Sequence, residues 1–177
     1  MTRTAPRVLI SEAQIRARVA ELGATISDDY RDAGEVMLVG ILKGSFIFLA
    51  DLSRVLTIPR RVDFLSISSY GMRGARAGAL RLILDLREPV RNRHVLIVED
   101  IVDTGHTLAY LQEMLAARHP ASLKTCTLVT KPSRREREVV LDYVGFEIPD
   151  AWVVGYGLDY QDRYRTLPYI GTIDPEK

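Results

Sequence analysis

The sequence predicts an α/β fold: a mostly parallel central sheet flanked by helices. Two observations carry this. Short apolar runs that read as buried strands alternate with helical runs through the first two thirds of the 177 residues, the pattern of βαβ units. The run VLIVEDIVDTGHT at 95–107 then passes from an apolar strand, 95–98, through three acids and a small-residue turn into a helix with Leu108, Leu111 and Leu115 on one face. Open α/β sheets build ligand sites in this way, at the carboxyl ends of their strands.

In chain order, Ser11 and Gln14 have the pattern of a capping box, and Ile15, Val19, Leu22 and Ile26 recur behind it at helical spacing. VMLVGIL, 36–42, is a buried-strand candidate. Lys43-Gly44-Ser45 turns the chain into an apolar-faced helix over 46–56. Strands are expected at 61–68 and 80–86. Between them SYGMRGARAGA, 69–79, has three glycines, two arginines and no core pattern. It is expected to be a loop that closes over the site, with Ser69 and Tyr70 at its start. After the strand at 95–98, the helix is expected to end near His119-Pro120. A strand at 123–130, a charged segment at 131–138, strands at 139–144 and 152–156, and a short strand within 167–173 complete the chain. One domain, 1–177, is expected, with a small hood formed by the N-terminal and C-terminal segments.

Composition narrows the function. Lys and Arg total 24 against 23 Asp and Glu, so no global basic field favours nucleic acid as a partner. With 47% hydrophobic residues the chain can bury a sizeable core. Cys126 is the sole cysteine, which excludes an intramolecular disulfide; set in an apolar run, it reads as a buried small hydrophobe. Neither a signal-peptide core nor a bilayer-length apolar run is present, so no membrane partner is expected and the reading is a soluble, cytoplasmic protein.

The phosphate motifs of common nucleotide enzymes are missing. GILKGS, 40–45, lacks the order of a Walker A loop, and Gly155 and Gly157 do not continue into a dinucleotide fingerprint. What remains is Glu99, Asp100 and Asp103 ahead of Thr104, Gly105, His106 and Thr107. Unpaired N–H groups at a helix start attract phosphate. Carboxylates just before them would repel it, and make sense if they hold ribose hydroxyls, a metal ion or a developing cation. Other candidates have bland local readings: Lys43 and Lys131 as solvated charges, Trp152 as core, Asp159 with Arg165 as a surface ion pair. Lys43-Gly44 gains weight beside the acidic strand end, because glycine lets backbone approach a pyrophosphate closely.

VEDIVDTGHT, 98–107, resembles the phosphoribosyl-pyrophosphate signature of type I phosphoribosyltransferases. DYVGFEIPDAWVVGYGLDYQDRYRTLPYIG, 142–171, resembles the C-terminal region of the hypoxanthine (hypoxanthine-guanine) phosphoribosyltransferases, and LKGSFIFLADL, 42–52, and SISSYG, 66–71, match the same family in order. The resemblance implies the type I phosphoribosyltransferase fold and transfer of the phosphoribosyl group from 5-phosphoribosyl 1-pyrophosphate to hypoxanthine or guanine, with Mg2+ as cofactor and a homodimer or homotetramer as the assembly. It implies that Glu99 and Asp100 engage the ribose hydroxyls, directly or through the metal, that Asp103 faces the purine N7, and that residues 103–107 cradle the 5′-phosphate. Lys43 and Gly44, joined to Leu42 by a bond often cis in such enzymes, would meet pyrophosphate together with Arg165, and Asp159 a second Mg2+. Lys131 would donate to the purine O6, Trp152 stack on the base and Val153 read its edge through backbone groups, with Ser69 and Tyr70 in the closing loop. Trp152 departs from the Phe or Tyr expected there, and His106 occupies a variable position to which no side-chain role is given. A regulator of the same family that binds nucleic acid is the alternative, with Arg60-Arg61 and Arg134-Arg135-Arg137 as its basic surface.

Overall fold

The structure, a computed structural model, describes residues 5–70 and 79–174, without the side chains of Ser69, Tyr70 and Ala79. The closing loop expected at 69–79 lies outside the described residues, apart from the paired backbone at its two ends.

Six strands form the main sheet in the order β4-β3-β2-β5-β6-β7, from β2 (Val36–Leu42), β3 (Arg60–Tyr70), β4 (Ala79–Leu84), β5 (His94–Val102), β6 (Ser122–Thr130) and β7 (Tyr143–Glu147). All neighbours run parallel except β3 and β4. After β2 the chain winds towards β3, and from β5 it winds the other way, so the topological switch falls between β2 and β5. The crevice at the carboxyl ends of those two strands is where such sheets bind ligands. A second, antiparallel sheet of β1 (Arg7–Ile10), β9 (Ile170–Ile173) and β8 (Trp152–Val154) joins the two ends of the chain.

The strands are apolar on both sides because both faces are covered. Helices α1 (Glu12–Asp29) and α2 (Phe46–Val55) bury Ile15, Val19, Leu22, Ile26, Phe48, Leu49 and Leu52 against Leu38, Leu96, Val98 and Leu128. Helix α3 (His106–Ala116) buries Leu108, Leu111 and Leu115 against Met37, Val39, Val95 and Ile97 on the other face. The capping box at Ser11 is formed: Gln14 N–H donates to Ser11 Oγ, and Ser11 N–H to Gln14 Oε1. Cys126 is buried in the first of these cores, and burial pushes its thiol pKa up, as for an inert thiol. No helix among the described residues is long and apolar enough to cross a membrane.

Several boundaries differ from expectation for identifiable reasons. Strand β5 does not stop at Val98 but runs through both acids to Val102, because Glu99 and Ile101 keep their pairing with Thr127 and Val129 of β6. Strand β7 starts at Tyr143 instead of 139. Asp142 accepts a hydrogen bond from Thr125 N–H at 2.8 Å, and Gln112 Nε2 donates to Val140 O at 2.8 Å, so side chains satisfy the backbone ahead of the strand. Helix α3 ends at Ala116, and the chain turns through His119 at a φ of 56°. The short strand β1 was not anticipated, since only its last residue, Ile10, is fully buried and four residues show no period.

Candidate active site

A cavity of about 310 Å3 opens at the switch point, lined by Gly44, Glu99, Asp100, Asp103, Gly105 and Thr107 among others. The main chain shapes it. The Leu42–Lys43 peptide is cis and is followed by Gly44. A Cβ on Gly44 would lie 1.6 Å from Asp100 Oδ2, so only glycine lets the two strand ends meet. Behind Gly44 stands Gly157, at a φ of +103°, where a Cβ would lie 1.9 Å from the Gly44 carbonyl oxygen. Gly105, at a φ of +91°, begins α3 with no capping side chain, and leaves the amides of the first turn to whatever fills the cavity. Arg137 O, where a Gly105 Cβ would stand 2.5 Å away, closes the back of that turn, and Thr104 O accepts from Glu136 and Arg137 N–H at 3.0 Å each.

The acids of β5 have separate surroundings. Glu99 is 6% exposed, and burial, with the neighbouring Asp100 charge second, holds its pKa well above the usual carboxylate range. Burial raises Asp100 to about 6, against backbone hydrogen bonds from Ile101 and its own N–H. Two acids held at such cost mark a site made for a cation or for hydroxyl donors. No group of three or more His, Cys, Asp or Glu among the described residues could hold a metal alone. Glu99 and Asp100 could offer a divalent cation one or two carboxylates, its other oxygens coming from substrate and water.

Burial of Asp100 has a consequence for stability. The folded state binds its proton more tightly than the unfolded state, so stability falls as pH rises from about 4 through about 6. Asp100→Asn is expected to stabilise the free protein at pH 8 by roughly 1–3 kcal/mol and to flatten its melting temperature across that window relative to wild type. A variant that melts lower than wild type at pH 8 would remove burial as the dominant influence on Asp100.

Asp103 sits between two cations. Its Oδ2 is 3.7 Å from Nζ of Lys131, whose side chain is 8% exposed, and its Oδ1 is 2.8 Å from Nε of Arg134. Lys131 follows β6 directly, and its N–H donates to Val102 O at 3.0 Å, which ties the ends of β5 and β6 together. Arg134 lies on the 3-10 turn Pro132–Arg134 and also reaches Asp150 at 3.4 Å, two residues before Trp152.

Trp152 is 57% exposed, with its ring edge-on to Tyr160 at 6.0 Å, and so is a free indole face and not the core residue of the bland reading. Val153 is buried and its backbone pairs with Thr172. Asp159 and Arg165 form the expected ion pair, at 2.8 Å. Asp162, not singled out from the sequence, binds both Arg165, at 2.9 Å, and the exposed Lys43, at 3.3 Å. Gln161, Asp162 and Tyr164 all have positive φ, and this compact turn is what brings Asp162 under Lys43. The cluster joins the Lys43-Gly44 turn to the C-terminal segment. His106 Nε2 lies 3.0 Å from Glu136 on the surface. Ser69 and Tyr70 belong to β3, paired with Leu80 and Ala79.

The arginines considered as a basic surface are committed elsewhere. Arg134 meets Asp103 and Asp150, Arg135 donates to Thr130 Oγ1, Arg137 to Glu113, and Arg61 to Glu35 and Glu88. Arg134, exposed but in contact with Asp103, and Arg135, half-buried against Thr130, are the residues whose contacts sequence reasoning missed: in a run of like charges nothing distinguishes those that reach back to the sheet.

Comparison with known proteins gives the family and the fold. Residues 11–161 match the family model described as a phosphoribosyl transferase domain. A hypoxanthine phosphoribosyltransferase of Salmonella typhimurium is 52% identical over 167 residues, 94% of either chain. A hypoxanthine-guanine phosphoribosyltransferase of Mycobacterium avium is 49% identical over 173 residues, 95% of this chain and 85% of that one. The crystal structure of a hypoxanthine-guanine phosphoribosyltransferase from Bacillus anthracis superposes with a TM-score of 0.90 at 40% identity, over 97% of this chain and all of that one.

Proposed function

The chain belongs to the phosphoribosyltransferase family, and from that premise we propose that it joins hypoxanthine or guanine to 5-phosphoribosyl 1-pyrophosphate, giving the nucleotide and pyrophosphate. It is a pentosyltransferase of purine salvage. The observation that carries the assignment of roles is the meeting of Lys131 and Asp103 at the ends of β6 and β5, beside the amides that open α3.

The bond from ribose C1′ to the pyrophosphate oxygen breaks as the bond from C1′ to a purine ring nitrogen forms. Positive charge develops on the ribose and negative charge on the leaving group. Glu99 and Asp100 hold the ribose hydroxyls and would, with Asp159 at a second position, hold Mg2+, which when bound would supply charge neutralisation for the pyrophosphate. Lys43, the Gly44 backbone and Arg165 bind the leaving pyrophosphate, for which Lys43 and Arg165 exchange their contacts with Asp162. The amides and hydroxyls of 103–107 hold the 5′-phosphate, with His106 contributing its backbone. Asp103 faces N7 of the base and takes or stabilises its proton. Lys131 donates to O6, Trp152 covers one face of the ring, and the backbone of Val153 reads its edge. The β1-β9-β8 sheet is then the hood that carries the base. A homodimer or homotetramer is proposed from the apolar side chains exposed on β3 and β4, Val62, Ile83 and Leu84.

Lys131→Ala tests the base-reading role. Loss of a buried donor facing a carbonyl costs about 1–3 kcal/mol, so KM for hypoxanthine and guanine is expected to rise roughly 5- to 150-fold. The KM for the sugar substrate should stay near wild type. A variant with unchanged KM for both bases would take Lys131 out of base recognition.

A further inference from the structure

Asp103 has two cationic neighbours, and they are not equivalent. Lys131 is almost wholly buried, yet its ammonium stays 3.7 Å from the carboxylate, beyond hydrogen-bond length. A buried ammonium alone with a carboxylate closes to a direct, charge-assisted contact, because nothing else compensates either charge. Here the other carboxylate oxygen already has the Arg134 guanidinium beside it, Nε at 2.8 Å, as an ion pair that compensates its charge without an aligned hydrogen bond. Arg134 is in turn braced from outside by Asp150 Oδ1, 3.4 Å from its Nη1. Its backbone is fixed by the 3-10 turn, in which Arg134 N–H donates to Lys131 O at 3.1 Å. One turn of chain thus places both cations: Lys131 at its start, inside, and Arg134 at its end, outside.

We propose that Arg134 is a positioning residue for base recognition: it takes up the Asp103 carboxylate so that the Lys131 ammonium remains free to donate to the 6-oxo group of the purine. The inference rests on the function proposed above. Without Arg134, Lys131 is the sole cation beside Asp103 and collapses onto it. The ammonium then has to be pulled from an ion pair before O6 can be bound. Arg134 also links the Asp103 loop to the segment just before Trp152, so the acid that meets N7 and the ring that covers the base keep a common distance. Arg134 touches no substrate in this scheme; it acts through Asp103 and Lys131.

The test is a double-mutant cycle on initial-rate kinetics, with Arg134→Met to remove the charge at similar volume. Hypoxanthine KM is expected to rise about tenfold, within the coupling range of residues in one ion-pair network, and KM for 5-phosphoribosyl 1-pyrophosphate to stay within about twofold. Arg134→Lys, which restores a cation without the planar fork, should recover part of the loss. In a Lys131→Ala background the same Arg134→Met change should leave hypoxanthine use unaltered, because no ammonium remains to be sequestered. An equal loss in both backgrounds, an unchanged hypoxanthine KM, or a matching rise in the sugar-substrate KM would each overturn the proposal. Wild-type turnover of hypoxanthine in the same assay separates failure of this inference from failure of the assigned reaction.

Discussion

Asp103→Asn is expected to lower kcat for nucleotide formation by about 10²–10⁴-fold, the usual worth of a positioned acid–base group, and to move KM for the sugar substrate far less. Asparagine preserves size and can still hydrogen-bond, so the phosphate loop should keep its path. Charge is what the substitution removes. Lys131 and Arg134 both converge on this carboxylate, so the variant leaves two cations facing a neutral amide and no group to meet the proton of the incoming base. Steady-state kcat and KM for each substrate decide the matter. Retained kcat would reduce Asp103 to a scaffold of the phosphate turn.

Gly44→Ala is expected to be nearly as damaging by a different route. Its Cβ would fall 1.6 Å from Asp100 Oδ2 and 2.4 Å from Asp100 Cγ. Either the carboxylate leaves the cavity or the Lys43-Gly44 turn retreats, and the turn is held from behind by Gly157. Displacement of about 1 Å between reacting groups costs on the order of 10²-fold in rate, so kcat/KM for the sugar substrate should drop by that order. The melting temperature separates a local effect from unfolding. A folded variant with wild-type kcat/KM would show that the close approach of Gly44 and Asp100 is dispensable.

These effects depend on features that were unequally legible in the sequence. Strand β2 was readable to the residue because six apolar residues and Gly40 stand between a coil and a Lys-Gly turn. The acidic end of β5 was readable as a site, but not as strand, since pattern reasoning ends a buried strand at its first charge. The charges are tolerated there because β5 reaches the open end of the sheet, which only the arrangement of neighbouring strands reveals. The pairing of Asp159 with Arg165 was suggested by their nearness in sequence, whereas the bridge of Asp162 to Lys43 spans 119 positions and leaves no local trace. Arg134 was hidden in the same way, as one of several exposed-looking arginines whose partners, Asp103 and Asp150, come from other elements. The C-terminal block carried the base specificity only as resemblance; its short strands and left-handed turns have no periodicity to read.

The proposed site reads a 6-oxopurine against a phosphoribosyl donor. Nucleotide formation by the purified protein with 5-phosphoribosyl 1-pyrophosphate, Mg2+ and hypoxanthine, guanine or adenine in turn tests it most directly. Product and pyrophosphate are expected from hypoxanthine or guanine, none without Mg2+, and an adenine rate lower by a factor on the order of 10–10², because Lys131 would face an amino group that cannot accept its hydrogen bond. Adenine turnover equal to that of hypoxanthine, or no product from any base by folded protein at saturating Mg2+, would contradict it.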